Sequence, residues 1–250
     1  MRGAKAESSI RALASQVRLV LVCTSGSAAI NDCYFGANGL LVSLHETAVV
    51  IDISTIDPGL AIKLHAAFEQ QGMHYLECPV SGGIEGAEAG SLSSIISGSA
   101  SAYSRAKPTL ESFCYSTVFI GEPGKAQRLK ILNNLAETIN LAGALEVIVQ
   151  GQAQGLDVDS MSRVLKVCRG RSAYMDVALA FVCSGGESSN VSLAVRCKDL
   201  DLAGSVFGEA CDFPISNLAM DLFRQTRDIL GATADQCEYF SLLKNKKASK

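Results

Sequence analysis

Lys130 and Asn134 lie four residues apart in a long stretch of helical periodicity, and together they could move a proton and orient the group that carries it. Residues four apart lie on one face of a helix. A lysine can act as a proton donor when burial lowers its pKa and a partner orients it. Most lysines simply face solvent, so this interpretation depends on where the helix lies. Since the helix starts where a strand-rich half of the chain ends, we expect its first turns to lie over the crevice of a sheet.

A glycine-rich segment, CPVSGGIEGAEAG at residues 78–90, follows a predicted strand. Glycines at this density indicate positive φ angles or a close approach of the backbone to another group. Successive backbone N–H groups in such a segment can hold a carboxylate or a phosphate. Ser81 adds a hydroxyl, so Ser81, Gly82 and Gly83 are candidate ligand-binding residues. The alternative is a flexible loop in solvent.

Two further segments carry polar side chains that could contact a ligand. Ser54 and Thr55 come just after a predicted strand, where parallel sheets bind their ligands. Their hydroxyls could instead cap the helix that Pro58 begins. Lys198, in the segment RCKDL at residues 196–200, could reach a phosphate or a carboxylate, or it could be solvated, and the residues favour neither.

Apolar periodicity divides the chain into an α/β half and an all-helical half. Strands and helices alternate up to about residue 122, which predicts a mainly parallel sheet with helices on both faces. We predict two domains, residues 1–122 and residues 123–250. The predicted strands are residues 18–23, 48–53, 74–78, 92–96 and 117–120, and the predicted helices are residues 27–34, 58–71, 101–111, 126–154, 159–167, 172–181, 193–210 and 216–232.

Composition excludes several classes of function. The formal net charge of −3 argues against nucleic acid as a partner. No apolar run approaches the roughly 18 residues that span a bilayer, so we expect no membrane partner. The nine cysteines are scattered without a C-x-x-C pair, so we expect small buried hydrophobes, no metal site and a reducing compartment. We expect a cytoplasmic location, with a mitochondrial one as the alternative.

Four segments, in this order, resemble the 3-hydroxyisobutyrate dehydrogenase family, a branch of the β-hydroxyacid dehydrogenases. The resemblance runs from about residue 10 to residue 243, and it implies an incomplete Rossmann-like parallel sheet followed by a helical C-terminal domain for substrate binding and dimerisation. The matching stretches are IDISTIDP at 51–58, ECPVSGGIEGAEAGSL at 77–92, GKAQRLKILNN at 124–134 and CKDLDLA at 197–203.

The resemblance implies an enzyme that oxidises a small β-hydroxyacid with NAD or NADP. Lys130 would act as general acid/base on the substrate hydroxyl or carbonyl, and Asn134 would orient the substrate. Ser81, Gly82 and Gly83 would hold its carboxylate. Hydroxyisobutyrate, tartronate semialdehyde, threonate and succinic semialdehyde all fit this set of motifs. The resemblance also implies a homo-oligomer formed through the helical domain.

On the cofactor side, the resemblance implies that Thr55 and Lys198 lie beside the nicotinamide cofactor. Thr24 and Ser25 stand where the family usually has a Leu-Pro pair in contact with it, so that contact changes in this chain.

The chain departs from the family at its beginning, because the family opens with a G-x-G-x-x-G turn that binds the pyrophosphate at a helix amino terminus. The early glycines Gly3, Gly26, Gly36 and Gly39 form no such turn. We therefore expect weakened or lost cofactor binding and impaired activity, through truncation, a mis-set start codon or degeneration. The alternative is a non-catalytic homologue that acts as a dimerising interaction protein or binds carboxylates. Retention of Lys130, Asn134 and the loop Ser81-Gly82-Gly83 favours the enzyme, because a protein that only forms an interface has no need of them.

Overall fold

The computed structural model describes residues 3–24, 26–187, 191–207 and 213–248. The chain forms two compact units, an N-terminal unit of Met1–Lys130 and a C-terminal unit of Ile131–Lys250. The predicted domain limits at residues 122 and 123 stay a prediction.

The N-terminal unit contains a six-stranded mixed sheet. Its strands are β1 Leu19–Val22, β2 Val49–Asp52, β3 His74–Glu77, β4 Val80–Ser81, β5 Leu92–Ser97 and β6 Cys114–Gly121. They are arranged in the order β1-β2-β3-β5-β4, with β6 also paired to β5. The pairs β1–β2, β2–β3 and β5–β6 are parallel. This sheet and the helical half that follows it confirm the predicted fold class.

The centre of the sheet departs from the parallel expectation. β4 and β5 are antiparallel, and β3 meets β5 through one antiparallel pair, Glu77 opposite Ser97. A parallel pair needs a crossover of about a dozen residues or more. Here β4 and a short helix occupy the segment between β3 and β5, so β5 returns beside β4 in the opposite direction.

Helices cover both faces of this sheet, as predicted. Residues of β2 alternate between two buried clusters, Val50 on one face and Val49 and Ile51 on the other. Asp57 caps the helix that Pro58 begins by accepting the N–H of Leu60 at 2.9 Å. The alternative that Ser54 or Thr55 caps this helix is therefore wrong. The helices are α1 Ile10–Ala14, α2 Ser27–Phe35, α3 Leu40–Ser43, α4 Pro58–Glu69, α5 Gly83–Ala89 and α6 Ala100–Leu110.

The C-terminal unit is helical and packs around one apolar core that includes Leu141, Leu145, Ile148 and Phe223. The long helix Lys125–Ala153 begins in the N-terminal unit, and its residues from Ile131 onward belong to the C-terminal unit. Residues 208–210 of the predicted helix 193–210 lie outside the described residues. The helices are α7 Lys125–Ala153, α8 Val158–Leu165, α9 Ala173–Cys183, α10 Leu193–Phe207, α11 Pro214–Leu230 and α12 Tyr239–Ala248, with a 3₁₀ turn η1 at Gln236–Glu238.

The cysteines are only partly the buried hydrophobes that were expected. All of those within the described residues are free, and Cys78, Cys114, Cys197 and Cys237 are buried. The expectation is wrong for Cys23, Cys168 and Cys183, which are exposed, while Cys211 lies outside the described residues. None of the described helices is both long enough and apolar enough to cross a membrane.

Candidate active site

The loops that follow β1 and β2 are tied to each other at the carboxyl ends of these strands. The two strands end side by side, with Val22 opposite Asp52. The backbone N–H of Thr24 donates to Oγ of Ser54 at 3.0 Å, and the N–H of Ser54 donates to Oδ1 of Asp52 at 2.8 Å. The hydroxyl of Ser54 is thus buried and holds the neighbouring loop. Thr55, the next residue, is half-buried at this end of the sheet.

Asp52 anchors these loops from inside the core. Its Oδ2 accepts the hydroxyls of Tyr34 at 2.6 Å and Tyr75 at 2.8 Å. Burial raises the pKa of Asp52, although hydrogen bonds from Ser54, Tyr34 and Tyr75 oppose that rise. Burial, and then the charge of Asp52, raise the pKa of both tyrosines well above the usual value. The two tyrosines therefore stay protonated and donate to Asp52. The hydrogen-bonded group of Asp52, Tyr34 and Tyr75 supports the loop after β2 from inside the core.

The amino terminus of α7 is fastened to the end of β3. The fully buried Glu77 accepts the N–H of Gly124 at 2.5 Å and that of Gln127 at 3.2 Å, and Nε2 of His65 lies 3.1 Å from its Oε1. Oγ of Ser97 accepts the N–H of Ala126 at 3.0 Å. The first N–H groups of a helix have no partner within the helix, and a carboxylate there also interacts favourably with the helix dipole. Glu77 therefore fixes where α7 begins.

Lys130 follows one turn later and is only 7% exposed. The first turn of α7 also contacts the loop after β2, because the side chain of Gln127 bonds to the backbone of Ser54 and Ile56. The expectation that the start of this helix lies at the carboxyl ends of the strands is thus confirmed within the N-terminal unit. The role of Lys130 as acid/base stays a prediction.

The glycine-rich segment is ordered, so the alternative of a flexible solvent loop is wrong. Ser81 belongs to β4 and pairs with Ser93 of β5. Gly82 and Gly83 have φ angles of 133° and 66°, the range that favours glycine, and they lead into α5. A Cβ atom on Gly82 would meet Cδ2 of Leu92 at 3.0 Å. The reason for the glycines is confirmed, whereas carboxylate binding by Ser81, Gly82 and Gly83 stays a prediction.

In the C-terminal unit, Asp199 connects two of the predicted site residues. Asn134 is buried, and its Nδ2 donates to Oδ2 of Asp199 at 2.7 Å. Nζ of Lys198 lies 2.9 Å from Oδ1 of the same carboxylate, so the two groups form an ion pair. The angles at this contact are not those of a hydrogen bond. Asn134 and Lys198, predicted on different sides of the reaction, therefore share one buried carboxylate. The KDL segment is one of the stretches shared with the family, but its aspartate was not among the predicted site residues.

A buried arginine supports the turn of α7 that carries Asn134. Arg196 is 3% exposed, and its Nη1 donates to the carbonyl of Asn134 at 3.3 Å and to Oε2 of Glu137 at 3.2 Å. Its Nη2 donates to the hydroxyl of Tyr174 at 2.6 Å and to Oε1 of Gln236 at 2.6 Å. This guanidinium links α7, α9, α10 and η1. A buried charge is stable only when it is paired in this way.

Tyr174 completes this cluster by donating its hydroxyl to Oε2 of Glu137 at 2.8 Å. Burial raises the pKa of Tyr174 from 10.0 to about 12, and the charge of Glu137 adds to the rise while that of Arg196 opposes it. The tyrosine is thus a neutral donor throughout the physiological range.

The predicted residues fall into two groups. Thr24, Thr55, Lys130 and the Ser81–Gly83 stretch belong to the N-terminal unit, and Asn134 and Lys198 belong to the C-terminal unit. Ser25 lies outside the described residues. The residues that sequence analysis overlooked are Asp52, Glu77, Gln127, Glu137, Tyr174, Arg196 and Asp199. The sequence offered one signal for two of these residues. Asp52 and Glu77 are charged residues within otherwise apolar strands, and a buried charged residue generally has a specific partner.

Comparison with known proteins connects both halves to one group of enzymes. Residues 1–121 match the family described as the NAD binding domain of 6-phosphogluconate dehydrogenase. Residues 124–243 match the family described as NAD-binding of NADP-dependent 3-hydroxyisobutyrate dehydrogenase. The chain thus consists of two segments of NAD(P)-binding type.

Individual relatives agree with these matches. The 3-hydroxyisobutyrate dehydrogenase of Pseudomonas aeruginosa is 33% identical over 202 residues, which cover 78% of this chain and 68% of that enzyme. The 2-(hydroxymethyl)glutarate dehydrogenase of Eubacterium barkeri is 26% identical over 90% of this chain and 76% of its own length. The solved structure of Psf3 in complex with NADP+ and 2-OPP is 56% identical, with a TM-score of 0.94 over 97% of this chain and 86% of that one. The chain therefore belongs to the 3-hydroxyisobutyrate dehydrogenase family of NAD(P)-dependent β-hydroxyacid dehydrogenases.

Proposed function

We propose that this chain interconverts a small β-hydroxyacid and the corresponding carbonyl compound with NADP, and that Lys130 is its general acid/base. The observation that carries this proposal is the burial of Lys130 on a helix whose first turn is bonded to the loop that contains Thr55. A buried lysine on a helix that is bonded to a candidate cofactor loop is suited to proton transfer.

Each candidate residue has a part in the proposed reaction. Lys130 takes the proton from the substrate hydroxyl in oxidation and returns it in reduction. The amide of Asn134, held by Asp199, orients the oxygen that carries this proton. The backbone at Ser81, Gly82 and Gly83 holds the substrate carboxylate. When bound, the nicotinamide accepts or supplies the hydride.

The carboxyl ends of β1 and β2 fit a nicotinamide cofactor. The two strands end in register, and Thr24 and Thr55 follow them with polar groups at the place where such sheets bind nucleotides. Ser25 and Lys198 are further proposed contacts.

NADP is proposed over NAD because the Psf3 structure, at 56% identity, contains NADP+. The same structure contains 2-OPP, which makes that compound the first ligand to test here. The relatives supply the alternatives, namely 3-hydroxyisobutyrate, 2-(hydroxymethyl)glutarate and L-serine.

The experiment is a calorimetric titration of the purified chain with NADP and with NAD, followed by turnover assays with these compounds at saturating cofactor. We expect NADP to bind more tightly than NAD, and one compound of the panel to be turned over or to bind competitively. Absence of binding by either cofactor at millimolar concentration would rule out the dehydrogenase function for this chain.

We propose further that the C-terminal unit forms the interface of a homo-oligomer. Support comes from large apolar side chains on α11 that are exposed in the single chain, among them Ile215, Leu218 and Ile229. Light scattering over a range of protein concentrations tests this, and a monomer at every concentration would contradict it.

A further inference from the structure

Gln127 is fully buried in the first turn of α7 and bonds to the backbone on both sides of Thr55. Its Nε2 donates to the carbonyl of Ser54 at 3.0 Å, and its Oε1 accepts the N–H of Ile56 at 3.1 Å. The carbonyl can only accept and the N–H can only donate, so a primary amide is the side chain that satisfies both. Gln127 therefore bridges across Thr55 in one defined orientation.

The helix end of this bridge is fixed by a separate group. The N–H of Gln127 donates to Oε2 of Glu77 at 3.2 Å, and the N–H of Gly124 donates to Oε1 of the same carboxylate. Glu77 is fully buried at the end of β3. The backbone from which the side chain of Gln127 extends thus cannot shift without breaking charge-assisted hydrogen bonds.

The loop end is fixed as well. The N–H of Ser54 donates to Oδ1 of Asp52 at 2.8 Å, and its Oγ accepts the N–H of Thr24 at 3.0 Å. Asp52 is itself fully buried. The side chain of Gln127 therefore joins two anchored segments, the loop after β2 and the first turn of α7.

We propose that Gln127 is a positioning residue that sets the placement of Thr55 relative to Lys130. Lys130 lies three residues after Gln127 on the same helix, which puts the two side chains on neighbouring positions of one face. The bridge fixes the first turn of α7 to the loop that contains Thr55. It thereby keeps the proposed proton donor, Lys130, and the proposed cofactor contact, Thr55, at a constant position relative to each other. The consequence for turnover rests on the proposed function, whereas the bridge itself does not.

The first test is site-resolved hydrogen exchange on the full chain without any ligand. Gln127→Met keeps the approximate volume but removes both hydrogen bonds, so the amide of Ile56 should exchange about tenfold faster. The amide of Ser54, bonded to Asp52, should stay within about twofold and serves as an internal control. Gln150→Met, at an exposed position of the same helix, is the matched control and should change neither amide.

Gln127→Leu is a second apolar variant and also serves if Gln127→Met does not fold. Its side chain offers neither a donor to the carbonyl of Ser54 nor an acceptor to the N–H of Ile56. The amide of Ile56 should therefore exchange faster in this variant by a similar factor. Unchanged exchange of Ile56 in either folded variant would overturn the proposal whatever the activity.

The second test is kinetic and uses the wild-type activity with NADP as reference. Gln127→Met should lower kcat by about 10- to 100-fold, because a small misplacement of reacting groups costs rate more than binding. The KM for the hydroxyacid should change less than threefold on the same reasoning. An unchanged kcat together with accelerated exchange at Ile56 would overturn the positioning role. If the wild-type chain neither binds NADP nor turns over, the proposed function fails, and the exchange experiment still decides whether Gln127 holds the loop.

Discussion

The side-chain amide of Asn134 donates to the carboxylate of Asp199 at 2.7 Å, although 65 residues separate them in the sequence. Both side chains are buried, and Lys198 pairs with the other oxygen of the same carboxylate. Because an ionised carboxylate can only accept, Asp199 determines which end of the Asn134 amide points toward it. The carbonyl oxygen and the second N–H of the amide are thereby given fixed directions.

This relationship predicts that Asp199→Ala lowers kcat by about 10- to 100-fold, since the amide of Asn134 loses its orienting partner. The KM for NADP should also rise, because the carboxylate that lies 2.9 Å from Nζ of Lys198 is removed. Steady-state kinetics with both substrates varied measures the two effects. Asp201→Asn is the matched control, because Asp201 is exposed on the same helix and pairs with Arg224. Wild-type kinetics in Asp199→Ala would mean that Asn134 is oriented by other groups.

Lys130→Met is expected to lower turnover by about 10²- to 10⁴-fold, the range that a general acid/base contributes. The Kd for NADP should change less than threefold, because the proposed role of Lys130 is toward the substrate rather than the cofactor. Stopped-flow turnover and calorimetry measure the two quantities on the same protein. Lys125→Met, at an exposed lysine in the first turn of the same helix, should behave like the wild type. An unchanged rate in Lys130→Met would remove this residue from the mechanism.

Glu77→Gln is expected to destabilise the N-terminal unit by about 1–3 kcal/mol, because the glutamine amide has one acceptor oxygen where the carboxylate has two. One of the two N–H groups at the start of α7 then loses its acceptor, and the other keeps only an uncharged one. The loss of the charge also removes a favourable interaction with the helix dipole. Urea unfolding followed by circular dichroism measures the change. Glu69→Gln, at the exposed end of α4, should stay within about 0.5 kcal/mol of the wild type. A similarly small effect for Glu77→Gln would show that the charge of Glu77 is not needed to hold the start of this helix.

The raised pKa of Tyr174 leads us to expect that the protein loses stability at high pH. Its pKa rises from 10.0 in the unfolded chain to about 12 in the folded protein, chiefly through burial. The folded state therefore holds the proton more tightly, and the resulting stabilisation is complete below pH 10 and is lost as the pH rises through 12. The wild type should lose stability more steeply between pH 10 and 12 than Tyr174→Phe, which lacks the titrating hydroxyl.

Thermal unfolding at a series of pH values checks this difference in slope. Tyr115→Phe is the matched control, because Tyr115 is 87% exposed, and this variant should follow the wild type. Parallel pH curves for the wild type and Tyr174→Phe would contradict the assignment of the alkaline transition to Tyr174.

Local patterns in the sequence were sufficient for most of the elements. The apolar run at residues 48–53 forms β2, and the unbroken helical periodicity at residues 126–154 forms α7. Each element buries its own apolar side chains, and their spacing along the sequence therefore shows directly whether the segment is a strand or a helix. The glycines at 82 and 83 were likewise read correctly as positions of positive φ. The four segments shared with the family also follow from the sequence, since each is contiguous.

Direction and pairing required the tertiary structure. Periodicity gives a strand its buried faces but does not set which way β5 runs beside β4. The partners of the site residues are equally hidden, because Gln127 meets Ser54 and Ile56 across more than 70 residues of chain. The sequence alone determined that Lys130 and Asn134 lie on one helix. Only the folded chain decided that Glu77 fixes the start of that helix and that Asp199 orients Asn134, because a buried hydrogen bond depends on distance and angle in space.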